Sequence, residues 1–374
     1  MSLLALASVL FLGQEGTIPT KKPQTDNDYI PISIQEAPLL LAKSDDVLSD
    51  PREKMNTGKA ENSVPNETHP REHRMKAPLT LSEPHRFEFS QIHMGTRVRI
   101  VLYAHSKDTA ERCARSAFAR FVELDRLFSD YTIDSELMRL CSSPPGVPTA
   151  VSRDVFIVLQ RAMEMAHLTD GAFDITAGAL THLWRRARPT GKAPSEEEIT
   201  SALFRTGWRY VTLDVNRQTV TLHKAGIILD VGGIAKGYAC DETLRVISSH
   251  GILRALVSAG GDIAVSGPPP NSKGWAVQLP NGTTLFVANC GVSTSGDTEQ
   301  FIQTGEGRYS HIIDPRTGKA LLNQYTITVI AQDAFTSDSL ATALSLVPPQ
   351  SAEGEHLRER FPYQAYIFPR PPNR

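Results

Sequence analysis

The chain has 374 residues, of which 40% are hydrophobic and 21% charged, enough for a sizeable core in one large domain or two average ones. A formal net charge of −2 excludes a general pull toward polyanions, so no nucleic-acid partner is expected. Cys113, Cys141, Cys240 and Cys290 lie far apart with no C-x-x-C or Cys/His cluster, which excludes a sequence-local zinc site and favours thiols over a disulfide framework.

Residues 2–12 form an apolar run too short to span a bilayer. Residues 1–15 therefore read as a signal-like segment or anchor remnant, and export to the periplasmic face of the inner membrane is the expectation, with the cytoplasm as the alternative. Residues 16–83 are polar and Pro-rich, with Leu39-Leu40-Leu41 the one apolar knot, and such composition predicts a disordered tether. The folded domain is expected over residues 84–370.

Alternating residues in Arg86-Phe87-Glu88-Phe89 and from Val98 to Tyr103, separated by Met94-Gly95-Thr96, predict a hairpin. Asp108 and Glu111 then fit a capping box for a helix with Ala110, Cys113, Ala114, Ala117, Phe121, Leu124 and Phe128 on one side. A second helix follows Ser152 and ends near Gly171, its Met163 and Met165 fitting a core better than a ligand set. Ser195 and Glu198 form another capping box, and Tyr210–Leu213 with Thr219–Leu222 read as a hairpin around Asn216-Arg217. Ile227-Ile228-Leu229 reads as a buried strand, 235–249 as a helix, and 255–265 as one strand. Strands at 275–279, 284–287 and 326–330, a helix at 335–346 and a strand near Tyr366 complete the chain. Several strand pairs are hairpins, so the expected class is α+β, with mixed or antiparallel sheets flanked by helices in a single large domain.

Four constellations carry chemistry. In the first, Asp230 to Tyr238 runs from a strand through Gly232-Gly233 into a helix, presenting free N–H groups and a positive helix end to an anion. Lys236 adds charge for a phosphate, although a tight turn with a solvated lysine fits the same residues. In the second, Gly171-Ala172-Phe173-Asp174-Ile175-Thr176 holds Asp174 near a bend before Trp184, where it serves a ligand or caps the next helix. In the third, Ser293-Thr294-Ser295-Gly296-Asp297 precedes a strand bearing His311 and a Pro-containing turn closed by Gly318. A histidine, neutral near pH 7, suits activation of a hydroxyl. In the fourth, Asp338 and Thr342 sit one helical turn apart, a partial hard-oxygen site for Mg²⁺ unless Thr342 merely bonds the carbonyl of residue 338.

In this order, with Met94-Gly95-Thr96 and Ser129-Asp130-Tyr131 before them, the constellations resemble the ApbE family, the FAD:protein FMN transferases, from Pro84 onward and most specifically from Ser293 to Gly318. The resemblance implies that Met94, Tyr131, Ala172, Phe173 and Asp174 face the flavin and adenine portions of FAD, with Asp230 and Lys236 as further FAD contacts. It implies that the carbonyl of Gly233, the carboxylate of Asp338 and the hydroxyl of Thr342 hold Mg²⁺, and that Ile312 lines the pocket beside His311, the candidate general base. FAD would then be a substrate, and the partner an acceptor protein whose threonine receives FMN, expected to be an exported redox protein with a short Asp/Ser/Gly/Ala-rich motif. Two departures stand out: Thr298 occupies a place where the family commonly has an aromatic residue, and no cysteine follows the apolar run to receive a lipid. The same pocket would serve an Mg²⁺-dependent FAD pyrophosphatase using water, or a non-catalytic FAD-binding protein. Tyr131, as an aromatic cover, favours the transferase over the first, and the Asp338/Thr342 pair disfavours the second.

Overall fold

The computed structural model describes residues 83–369 apart from 297–300, 304–307 and 323–324. The signal-like run and nearly all of the tether lie outside the described residues, as do Asp297 and Thr298. Seven strands form the central sheet: β1 His85–His93, β2 Thr96–Ala104, β3 Ala255–Ala259, β4 Asp262–Val265, β5 Cys290–Ser295, β6 Tyr325–Ala331 and β7 Tyr363–Pro369. They lie side by side in that order, and every neighbouring pair is antiparallel. The expected α+β class with antiparallel sheets is what forms.

Alternation along β2 puts Val98, Ile100 and Leu102 on one face and Val101 on the other. The first face is covered by helices α1 Lys107–Phe128, α4 Ala235–Ser249 and α5 Ala334–Leu346, which pack against one another and against the sheet. The second carries a smaller cluster, with Trp275 of the hairpin 275–287 packed on Val101, Leu256 and Val265. Two more helices follow: α2 Arg153–Leu168 extends the helical layer, and α3 Gly178–Ala187 forms part of one wall of the cleft. A third core, built on Leu180, Leu183 and Trp184 of α3, joins the helix Glu196–Leu203 to the Ile313–Ala320 turn.

Several sequence expectations shift. The cap of α1 is Ser106, whose hydroxyl accepts from Thr109 N, rather than Asp108; the extended backbone of Ser106 places its oxygen over the first turn. The single strand read over 255–265 is two, because Gly260 takes φ +62° and the chain reverses at Gly260-Gly261 into β4. Ile227-Ile228-Leu229 is buried or nearly so, yet Ile228 makes only an isolated parallel bridge to Ala177. Met165 is core, whereas Met163 is only partly buried against it. Helices Glu136–Cys141 and Ala352–Arg360 and strand β5 were not anticipated. The Ser195/Glu198 capping box forms as read, and all four cysteines are free thiols.

The crossing of α4 and α5 is close because Gly237 has no side chain. A Cβ there would lie 2.1 Å from the carbonyl oxygen of Ala334 and 2.7 Å from Asp338 Cβ. Gly237→Ala is expected to destabilise the chain by about 1–3 kcal/mol or more, since backbone must move to admit the methyl. A lower urea midpoint would register it; an unchanged midpoint would show that the crossing yields freely.

Candidate active site

A cleft of ≈ 1300 Å³ opens beside the β1–β2 turn, bounded by the ends of α1, α3, α4 and α5. It is larger than the roughly 300–1,000 Å³ usual for small-molecule sites, as a dinucleotide would need. All twelve residues singled out from sequence line it or border it: Met94, Tyr131, Ala172, Phe173, Asp174, Asp230, Gly233, Lys236, His311, Ile312, Asp338 and Thr342.

Met94 and Gly95 both have positive φ, 48° and 69°, which is what a two-residue hairpin turn demands, and Met94 N donates to Asp125 Oδ2 of α1 at 3.2 Å. The turn is thereby pinned at the cleft edge. Tyr131 follows the end of α1 in a loop where Ser129 Oγ accepts from its N–H; its ring is 80% exposed. Ala172 and Phe173 are buried in the cleft wall.

Asp174 does not cap α3, whose N-cap is Ala177 with no side-chain bond. Its Oδ1 accepts from Thr176 N and Oγ1 at 2.8 and 2.7 Å, and its Oδ2 from Trp208 N at 2.8 Å. Burial pushes this carboxyl up, and the three donors act against that. It braces the segment 172–176 against the loop at 207–208.

Asp230 is similarly engaged. Its Oδ1 accepts from Gly232 N at 2.8 Å, and its Oδ2 from Thr181 Oγ1 at 2.7 Å and Arg185 Nη2 at 2.8 Å. The glycine turn that follows delivers the start of α4 to the cleft. Lys236, in that first turn, is partly exposed but paired rather than free: its Nζ lies 2.6 Å from Asp262 Oδ2 and 3.9 Å from Asp338 Oδ2. Burial opposes its charge, but Asp262 and Asp338 outweigh it and hold the ammonium protonated.

Gly233, Asp338 and Thr342 converge. A Cβ on Gly233 would fall 2.9 Å from Thr342 Cγ2 and 3.0 Å from its Oγ1, so only glycine lets this backbone sit against that hydroxyl. Asp338 is 4% exposed, accepts from Gly237 N at 2.9 Å, and has its pKa pushed up to about 7, first by burial and next by Asp262. A buried carboxylate facing a second carboxylate is a place where a further cation is favourable. Among the described residues no group of three His, Cys, Asp or Glu could hold a metal. The Asp338 carboxylate and the Thr342 hydroxyl, with the Gly233 main chain against them, offer hard oxygen donors that suit Mg²⁺ completed by water and phosphate.

His311 is exposed and lies in a bend after the short strand Arg308–Ser310, not within a strand as read from sequence. Ile312 beside it is buried, its N–H donating to Ser310 Oγ at 3.1 Å and its carbonyl accepting from Leu321 N. Gly318, with φ +71°, closes the following turn through its N–H to Asp314 O at 2.8 Å, and Trp184 Nε1 ties that turn to α3 at 2.9 Å.

Sequence reasoning missed Asp262 and Arg185. Asp262 follows two glycines at the β3–β4 turn, a signal available in principle; Arg185 carries none, because its partners Asp130 and Asp230 are distant in the chain.

The model of the ApbE family matches residues 94–367. Among curated relatives, the FAD:protein FMN transferase of Vibrio cholerae is 32% identical over 244 residues, covering 60% of this chain and 72% of its own. That of Escherichia coli K12 is 31% identical over 249 residues, covering 63% and 71%. Among solved structures, the ApbE protein of Thermotoga maritima superposes with a TM-score of 0.66 at 30% identity, covering 75% of this chain and 93% of its own. The apo flavinyl transferase ApbE of Pseudomonas stutzeri gives 0.65 at 26% identity, covering 78% and 96%.

Proposed function

Since the chain belongs to the ApbE family, we propose that it is an FAD:protein FMN transferase, moving FMN from FAD to a threonine hydroxyl of an acceptor protein with release of AMP. The observation that carries this reading is the meeting of Gly233, Asp338 and Thr342 beside Lys236, in the same cleft that His311 lines.

The threonine Oγ attacks the FMN phosphorus, the bond from that phosphorus to the bridging oxygen breaks, and AMP leaves with the oxygen. Little covalent work falls to the protein in such a transfer; alignment and charge neutralisation dominate. Most N–H groups at the start of α4 are engaged within the chain, Gly232 N by Asp230, Ala235 N by Val231 and Gly237 N by Asp338, so the positive helix end and the ammonium of Lys236 would meet the pyrophosphate rather than a row of free donors. Asp262 keeps that ammonium charged and in place. Gly233, Asp338 and Thr342 would hold Mg²⁺, which when bound neutralises phosphate charge and eases departure of the bridging oxygen. His311 takes the threonine proton on an imidazole nitrogen. Its exposure suits that role, because a protein acceptor must reach it from solvent.

The acceptor is proposed to be an exported redox protein with its threonine in a small, polar motif, and residues 1–83 to serve as leader and tether to the membrane. No helix among the described residues is long and apolar enough to cross a membrane. A chain starting at Thr80 is accordingly expected to keep the melting temperature and the transfer rate of the full chain, as the removed composition offers no packed face. Parallel loss of both would make the tether part of the fold.

The function is tested by incubating the protein with FAD, Mg²⁺ and candidate acceptors, then measuring intact acceptor mass and free AMP. Acceptor mass rising by one FMN phosphoryl unit with stoichiometric AMP supports transfer. AMP and FMN formed equally without an acceptor would support the pyrophosphatase reading, and FAD binding without either product the storage reading.

A further inference from the structure

Arg185 stands at the junction of two cleft walls. Its Nη1 pairs with Asp130, in the loop that carries Tyr131, and its Nη2 with Asp230 at 2.8 Å, in the segment leading to α4. The same guanidinium lies 4.9 Å from the centroid of the Tyr131 ring. Both carboxylates are well shielded, at 10% and 11% side-chain exposure, and each has a second anchor on α3: His182 Nε2 lies 3.1 Å from Asp130 Oδ2, and Thr181 Oγ1 donates to Asp230. Burial raises the Asp130 carboxyl, yet the His182 bond and the Arg185 charge more than offset it and hold it below its usual value. A planar guanidinium fork can serve two carboxylates and an aromatic face at once; an ammonium cannot.

We propose that Arg185 is a positioning residue that clamps the Tyr131 loop to Asp230 and presents the exposed Tyr131 ring for stacking on the isoalloxazine of FAD. An aromatic ring 80% exposed has no packing to fix its rotamer, and the only ring contact it makes is with this guanidinium among the described residues. With a cation on one face of the ring, the other is left for a flat ligand. The inference rests on the reading that the cleft takes FAD.

The test uses the full chain and FAD itself, with quenching of flavin fluorescence as a binding readout that needs no turnover. Arg185→Met is expected to weaken FAD about tenfold and to lose part of the quench at saturation, while kcat for AMP release stays within about twofold. Arg185→Lys should recover only part of the affinity, since one arm of the bridge is lost. On a Tyr131→Ala background Arg185→Met should add less than about twofold, because the two act as a unit. Full additivity in that cycle, or unchanged affinity and quench in Arg185→Met, overturns the clamp, as does a joint fall in melting temperature and kcat with a rise in KM. Should Arg185→Met not fold, Asp130→Asn cuts one arm and leaves the Asp230 pair; its quench must still fall, and an unchanged quench overturns the proposal. A wild-type chain that quenches FAD normally but transfers no FMN would refute the proposed function and leave the clamp to be judged by quench alone.

Discussion

Asp338→Ala is expected to reduce FMN transfer by about a hundredfold or more while leaving the chain folded. The carboxylate is the anionic member of the set that meets at Gly233 and Thr342, the neighbouring Asp262 being engaged by Lys236 at 2.6 Å, so its removal takes away the charged member of the hard-donor set. Its contribution to the fold is mixed. It accepts from Gly237 N at 2.9 Å, and leaving that N–H without an acceptor costs about 1–3 kcal/mol. Against this, its pKa stands at about 7 because burial and Asp262 both oppose its ionisation, and deleting it removes that opposition. The two effects partly cancel, and the melting temperature should move by only a few degrees. Asp338→Asn sharpens the contrast: the amide oxygen can keep the Gly237 bond, yet it brings no negative charge, so transfer should stay low while stability returns. The measurement is acceptor mass gain across a Mg²⁺ series after chelation, alongside a melt of each variant. Wild-type turnover by Asp338→Ala at limiting Mg²⁺ would remove this residue from the metal site.

The parts of the site that were readable from sequence are those whose geometry is local. Asp338 and Thr342 share a helical face because they are four apart, and Gly232-Gly233 must turn wherever the chain goes next. What places these two pieces together is tertiary: Gly233 touches Thr342 across 109 positions of chain only because α4 and α5 cross at Gly237. No period or spacing carries that. The same limit explains Asp262 and Arg185, whose roles consist entirely of ion pairs to other segments. Within the fold, elements with a strong apolar period were readable, as α1 shows with seven predicted positions all buried. Elements without one were not. Strand β5 is Cys-Gly-Val-Ser-Thr-Ser, small and hydroxylic, and it is stabilised in the sheet by pairing on both sides and by the Ser293–Ser337 hydroxyl bond at 2.8 Å rather than by large side chains. The helix Ala352–Arg360 buries only Gly354 and Leu357, too few for a periodic signal. The strand read at Ile227-Ile228-Leu229 has the composition of one, but the chain is needed as a connector between Thr219–Leu222 and the glycine turn, and only Ile228 finds a bridge.

His311→Ala separates catalysis from packing more cleanly than any other substitution in the cleft. The side chain is exposed, so its removal opens no core cavity and the melting temperature should stay close to that of the wild type. The neighbours that shape this bend are held by other bonds: Ile312 N to Ser310 Oγ, Leu321 N to Ile312 O, and Gly318 N to Asp314 O. FAD affinity and the proposed dependence on Mg²⁺ should therefore persist, while the proposed transfer to threonine falls by about a hundredfold at neutral pH, the usual contribution of a positioned general base. The fall should appear in kcat rather than in KM for FAD, because the proton moves only as the acceptor oxygen attacks. Raising the pH should recover part of the rate in the variant, since hydroxide and buffer bases take over a role the imidazole no longer fills. Binding titration, melting curve and single-turnover transfer on this one variant decide between the readings. A joint loss of melting temperature and FAD affinity would make His311 a structural residue of the cleft wall, and unchanged transfer would assign the proton to another base.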